Sequence, residues 1–269
     1  MNRTLIAVAA AATLVGTSAL AADMAVKAPP LPPPPVFTWT GFYIGGNVGY
    51  GWGRDTTGII PGPTPAIFVN LLPQTLATDP RGWLGGAQAG YNWQTGSFVF
   101  GVEGDIQGAH ISGTVIESPI IQNNGTPFPG AGNNITITQK LDWFATARAR
   151  LGVAVVPQLL LYVTGGGAWG RVADTANVDF RPVGTEQYPA SASSTRGGWA
   201  AGVGGEWSLA SNWSVKAEYL HVSLGGTNTV VAQPFIPLPP FTVTYNFNRM
   251  AVDIARVGLN YRFGGIVGH

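Results

Sequence analysis

The amino-acid sequence predicts an all-β fold: an eight-stranded antiparallel up-and-down transmembrane β-barrel with long extracellular loops and short periplasmic turns. Three observations predict it. Of 269 residues, 45% are hydrophobic and only 10% charged, against about 25% charged in an ordinary soluble domain. That is too little charge to solvate a globular surface. Apolar residues alternate with polar or small ones at period two through eight segments. The chain also carries 38 Gly with 9 Trp, 8 Tyr and 12 Phe, and several segments hold an aromatic on the same face near each end.

Residues 1–21 read as a signal peptide. Arg3 supplies a positive start, Leu5 to Val15 an apolar run, and Ala19-Leu20-Ala21 a small-x-small cleavage site. Thr13, Gly16, Thr17 and Ser18 interrupt the run, which falls short of the ~20 apolar residues of a spanning helix. Residues 22–39 read as a periplasmic linker, because Ala28 to Val36 spells APPLPPPPV. Such density favours polyproline II, and at ~3.1 Å per residue the stretch from Ala22 to Val36 reaches about 45 Å. The barrel is expected over 40–263, followed by a tail at 264–269.

Strands are expected near 40–52, 81–94, 98–111, 140–154, 159–171, 196–209, 213–222 and 250–263. Thr95-Gly96-Ser97, Val155 to Gln158 and Ala210-Ser211-Asn212 make tight turns between them. The long segments 53–80, 112–139, 172–195 and 223–249, rich in Pro, Gly, Asn and Thr, read as flexible surface loops. Alternating short and long connections describe an up-and-down sheet.

Charge decides which face points where. Phe98, Phe100, Val102 and Ile106 oppose Glu103, Asp105 and Gln107. Leu141, Trp143, Ala145, Ala147, Ala149 and Leu151 oppose Asp142, Thr146, Arg148 and Arg150. Later strands set Glu206, Lys216, Glu218 and Arg256 against faces of Trp, Val, Ala, Leu and Tyr. A soluble barrel would turn these few charges outward; a membrane barrel turns them into the lumen. Same-face aromatics such as Phe42 and Trp52, or Trp83 and Trp93, lie roughly 20–25 Å apart along a tilted strand, the height of an apolar band.

An eight-stranded lumen is only wide enough for side chains. Glu103, Asp105, Glu206 and Glu218 are therefore expected to pair there with Arg148, Arg150, Lys216 and Arg256, since buried charge is tolerable only when paired. Net charge without the leader is zero, with 13 basic and 13 acidic residues, which excludes a field for nucleic acid. Cys is absent, so there is no disulfide framework, thiol nucleophile or Cys-based zinc site. No metal-ligand motif occurs, and no cofactor is expected. Gly165, Gly167 and Gly170 match a dinucleotide fingerprint by letter only, since no helix opens there. Barrel enzymes would need a nucleophile and base at the rim. His221 with Ser223 is the best pair available; His110 and His269 read as polar rim and tail.

Thr38-Trp39-Thr40-Gly41-Phe42-Tyr43-Ile44-Gly45-Gly46, Tyr162 to Gly166 and the ending Arg256 to Phe263, behind a leader and a polyproline run, resemble the small outer-membrane immunogenic or porin-family proteins of alphaproteobacteria. These are related to the barrel domain of outer membrane protein A. The resemblance implies residence in the outer membrane of a Gram-negative bacterium, with periplasmic termini. It implies that Gly258, Tyr261 and Phe263 form the signal read by the barrel-assembly machinery, although this chain continues six residues beyond Phe263. It further implies that a mature N-terminus beginning Ala22-Asp23 is a candidate for covalent attachment to peptidoglycan. The expected partners are outer-membrane lipid, lipopolysaccharide, the assembly machinery and peptidoglycan. The expected function is structural, supporting envelope integrity. The alternatives are a narrow diffusion channel and, further off, a lipid-modifying rim enzyme.

Overall fold

The computed structural model describes residues 36–62, 72–127, 132–180, 187–210, 212–233, 242–263 and 266–267. The leader, the candidate attachment residues Ala22 and Asp23, and most of the Pro-rich linker lie outside the described residues. Eight antiparallel strands close a barrel in the order β10, β13, β2, β5, β6, β7, β8, β9. Their ranges are β2 Gly41–Gly53, β5 Arg81–Thr95, β6 Phe98–Glu117, β7 Asn134–Val156, β8 Leu159–Asp179, β9 Gln187–Ser208, β10 Trp213–Leu224 and β13 Met250–Phe263. The first and last barrel strands meet with Phe42 opposite Phe263 and Gly49 opposite Arg256, so the sheet has no free edge there. At the short-turn end Gly96 takes a φ of 61°, a left-handed conformation that glycine adopts without penalty.

At the other end the strands run further than expected. β6 continues to Glu117, β7 starts at Asn134, β8 reaches Asp179 and β9 begins at Gln187. The reason is visible in Asn134-Ile135-Thr136-Ile137-Thr138, where β-branched residues keep the alternation going. The remaining long segments contribute a second sheet, ordered β11, β12, β3, β4. Its strands are β3 Asp55–Pro61, β4 Thr75–Thr78, β11 Asn228–Ala232 and β12 Val243–Phe247. Ile59, Leu72, Val243, Tyr245 and Phe247 of this part share a buried cluster with Ile120, Ile135, Ile137, Ala176, Val178 and Tyr188. The Tyr245 hydroxyl donates to the Tyr188 carbonyl at 2.9 Å. Among the described residues the long-loop end is thus a β-structured dome with its own apolar core, where composition suggests loops alone. It coheres because the four segments each supply a few apolar residues that only their meeting can bury.

A second correction concerns β7. Leu141 was expected on the lipid side and Asp142 in the lumen; instead Leu141 is fully buried inside and Asp142 lies outside. A β-bulge at Asp142, an extra residue of β7 against β8 between Leu141 and Trp143, turns Asp142 and Trp143 outward in succession. Against β6 the extra residue falls on β6, between Gly108 and Ile111. One extra residue reverses the inside–outside parity of everything beyond it.

Two short strands close the short-turn end. β1 Val36–Phe37 pairs antiparallel with β14 Ile266–Val267, so the tail after Phe263 returns to the segment before the barrel. The barrel exterior is apolar, with Phe42, Ile44, Val48, Phe100, Val102, Leu151, Val203 and Leu259 exposed, and Trp83 67% exposed.

Candidate functional site

The lumen is the candidate site, and it is filled in layers. Lowest lies Trp39, fully buried. Its backbone N–H donates to Gln94 Oε1 at 2.7 Å and its indole N–H to the Pro157 carbonyl at 3.1 Å. The Arg262 guanidinium sits 4.4 Å from the Trp39 ring centre and 4.5 Å from that of Phe37, near enough for cation–π attraction to both. Arg262 also donates to Ser208 Oγ at 3.2 Å.

Above this wedge the structure brings all eight sequence-identified charges together. β6 and β7 pair Glu103 directly with Arg148. Arg148 contacts Glu103 at 2.6 Å, Asp105 at 2.8 Å and Glu218 at 3.1 Å. Arg150 bridges Glu103 and Glu206, each at 2.9 Å. Lys216 Nζ lies 3.0 Å from Glu103. Arg256 lies 2.5 Å from Glu218 and 3.3 Å from Asp105. Four carboxylates face four cations, so the cluster is neutral, and every one of these side chains is at most 1% exposed. Desolvating such ions costs several kcal/mol each, and pairing every charge, from one partner for Glu206 to four for Glu103, offsets that cost.

Residues without formal charge complete the network. Tyr43 donates to Glu103 at 2.8 Å and Tyr162 to Glu218 at 3.2 Å, while the Arg150 guanidinium stacks 3.9 Å above the Tyr162 ring. Both rings lie across a cross-strand glycine, Gly90 under Tyr43 and Gly204 under Tyr162. A Cβ at either glycine would collide with the phenol. From Glu206 a chain of amides runs through Asn260 at 3.0 Å, Gln88 at 2.6 Å and Asn47 at 2.7 Å. Sequence reading missed these tyrosines and amides; inward parity marked them, but only the register shows that they touch the ions.

Beyond the charges comes an apolar layer of Leu84, Ile111, Leu141, Phe144, Val172, Leu220, Leu224, Met250 and Ile254. Over it, at the base of the dome, Arg196 is paired with Asp174, and Asp55 accepts the Ala251 N–H at 3.1 Å. Burial, reinforced by the charge of Asp174 and opposed by Arg196 and Arg249, raises the Asp55 carboxyl to about 6.

The other candidates fall elsewhere. Tyr261 packs edge-on against Trp213 and Phe263, with ring centres at 5.1 and 5.0 Å. Phe263 meets Phe42 at 5.7 Å, and Gly258 lies against Asn47 and Gln88. His221 is engaged by Asp253, Nδ1 to Oδ1 2.7 Å, and that carboxylate also accepts the Tyr219 hydroxyl at 2.7 Å. Ser223 is buried and forms no hydrogen bond with His221. Asp253 is the direct cross-strand partner of His221, a relation that sequence spacing does not display. Gly165, Gly167 and Gly170 lie within β8. Among the described residues no group of three or more His, Asp or Glu side chains is placed to hold a metal ion.

An apolar exterior around an interior lined by buried charges defines an integral membrane β-barrel, since only lipid makes that inversion favourable. Residues 7–263 match the family model described as the outer membrane protein beta-barrel domain. The chain belongs to that family and is an outer-membrane protein. It is 33% identical over 263 residues to the 31 kDa outer-membrane immunogenic protein of Brucella melitensis, covering 95% of this chain and 98% of that one. It is 26% identical over 265 residues to the 25 kDa outer-membrane immunogenic protein of Brucella abortus, covering 97% and 98%. Among solved structures, the outer membrane protease OmpT from Escherichia coli aligns with a TM-score of 0.46 at 10% identity, covering 84% of this chain and 98% of that one.

Proposed function

We propose that the protein is a structural element of the outer membrane whose lumen is sealed, and whose N-terminus ties the membrane to the peptidoglycan wall. The observation that carries the sealing is the succession of layers inside the barrel: the Trp39 wedge, the neutral charge network and the apolar layer beyond it. Ions would have to break paired charges and then cross an apolar stretch. Both chain ends leave the barrel at the short-turn end. In this reading that end is periplasmic and the dome faces outward, so the linker reaches toward the wall from the correct side. Ala22-Asp23 supplies the free amine for attachment once the leader is removed.

The test is mass spectrometry of muramidase-released peptides from SDS-boiled sacculi. Ala22 carrying a muropeptide supports the tether, whereas finding only free Ala22 in the detergent fraction removes it. Planar bilayers test the seal: no stable conductance steps are expected, and salt-dependent unitary steps would replace the structural reading with a narrow channel.

A further inference from the structure

At the dome end, cations follow the outermost lipid-facing tryptophans on one side of the barrel. Arg54 comes two residues after Trp52, Arg81 two before Trp83, Lys140 three before Trp143, and Arg171 two after Trp169. Pairing brings several of them together: Arg81 is opposite Ser112, and Ser112 is opposite Lys140. At ~4.8 Å per strand, Arg81 and Lys140 lie about 10 Å apart along that row.

The β7 bulge builds the centre of the patch. Asp142 lies 2.9 Å from Lys140 Nζ and 3.9 Å from Arg171 Nε. Arg171 Nε also donates to Ser193 Oγ at 3.1 Å. Lys140 is 50% and Arg171 55% exposed. One carboxylate thus positions two cations without consuming them. The terminal nitrogens of Arg171, and the whole guanidiniums of Arg54 and Arg81, form no hydrogen bond or ion pair with any described residue. Along the same row, two strands from Arg81 in the other direction, Asp253 of β13 is engaged by His221 and Tyr219 of β10.

We propose that Arg81, Lys140 and Arg171, with Arg54 flanking them, form a binding site for the phosphate groups of a phosphorylated glycolipid in the outer leaflet. The apolar band and its tryptophans set the depth of the acyl chains, which places these cations among the headgroups. Guanidinium forks match phosphate oxygens in pairs, and the ammonium of Lys140 adds a point charge. Ser112 lies in the same row, where its hydroxyl suits a sugar. Arg81, Lys140 and Arg171 against Asp79 and Asp142 leave this flank net positive, so bound glycolipid orders on the β5–β8 side of the barrel. This inference rests on the outward orientation of the dome.

The experiment is native mass spectrometry of the full chain in detergent, titrated with bisphosphorylated lipid A, dephosphorylated lipid A and phosphatidylglycerol. Bisphosphorylated lipid A is expected to bind with preference over both controls. The surface variant R81Q/K140Q/R171Q is expected to lose about tenfold or more of that affinity, while R81K/R171K retains part of it. Equal binding of the three lipids, or an indifferent triple variant, overturns the site. Orientation is read separately by labelling Thr175→Cys on intact cells with a membrane-impermeant maleimide. Labelling supports the outward dome. Its absence overturns the orientation, and with it the glycolipid as occupant, whatever binds in detergent.

Discussion

The two halves of β7 place opposite chemistry on the same sides of the sheet. In the half nearer the short turns, Arg150, Arg148 and Thr146 are buried while Leu151, Ala149 and Ala147 are exposed. In the dome half, Ile137 and Ile135 are buried while Thr138, Thr136 and Asn134 are partly exposed. The hinge between them is Phe144 and Leu141, with the bulge at Asp142. Hydrophobic burial has no preferred direction of its own; it moves apolar surface away from water. Where lipid surrounds the wall, that means outward, and where water surrounds the dome, it means inward.

The largest effect should come from breaking the buried network in the lipid-embedded half. Arg148→Ala leaves Glu103, Asp105 and Glu218 short of a partner and should cost about 3–5 kcal/mol, read as a lowered urea midpoint in lipid vesicles. An unchanged midpoint would mean that water fills the lumen. In the dome, Ile137→Ala removes a buried side chain from an apolar core and should cost about 2–5 kcal/mol. Limited proteolysis should then cut the dome while the barrel keeps its heat-modifiable migration on gels; loss of both together would show that the halves fold as one.

The outer faces offer a matched pair. Ala147→Arg, near the middle of the apolar band, should cost about 2–4 kcal/mol. Thr175→Arg, on the exposed face of the dome, should change stability by no more than about 0.5 kcal/mol. Equal costs in the two variants would erase the distinction between a lipid-facing and a water-facing half.

The smallest expected effect concerns pH. Burial holds the Asp55 carboxyl near 6, above about 3.9 in an unfolded chain. The folded dome therefore binds that proton more tightly, and the contribution to stability is complete below the unfolded value and lost as pH rises through about 6. Asp55→Asn stays neutral, so protection of the dome from protease should decline less between about pH 4.5 and about pH 7.5 than in the parent. Identical profiles would remove Asp55 as a source of the decline.

The barrel was legible because period-two alternation survives in every strand, and because charges such as Glu103 and Arg148 are too few to be a solvated surface. The network's partners were legible only as an inward set. Tyr43 and Tyr162 look like any aromatic until the register lays them across Gly90 and Gly204. The bulge was not legible at all, since Leu141-Asp142-Trp143 reads as continuous alternation until pairing with β8 inserts a residue. The dome was hidden by composition: Pro, Gly and Asn around 53–80 and 223–249 outweighed short runs such as Val243-Thr244-Tyr245-Asn246-Phe247. No single run could bury itself, and local pattern says nothing about four distant segments condensing together.

The closure at the short-turn end has a mechanical consequence. A pull on the chain ahead of Val36 does not fall first on the barrel wall. It meets the hydrogen bonds between β1 and β14, then Trp39 held by Gln94 and Pro157 and flanked by Arg262. Only after both yield does the load reach β2 and its ladder to β13. In the proposed wall tether the load would therefore pass through a graded coupling in series, the two short strands and the Trp39 wedge before the barrel ladder.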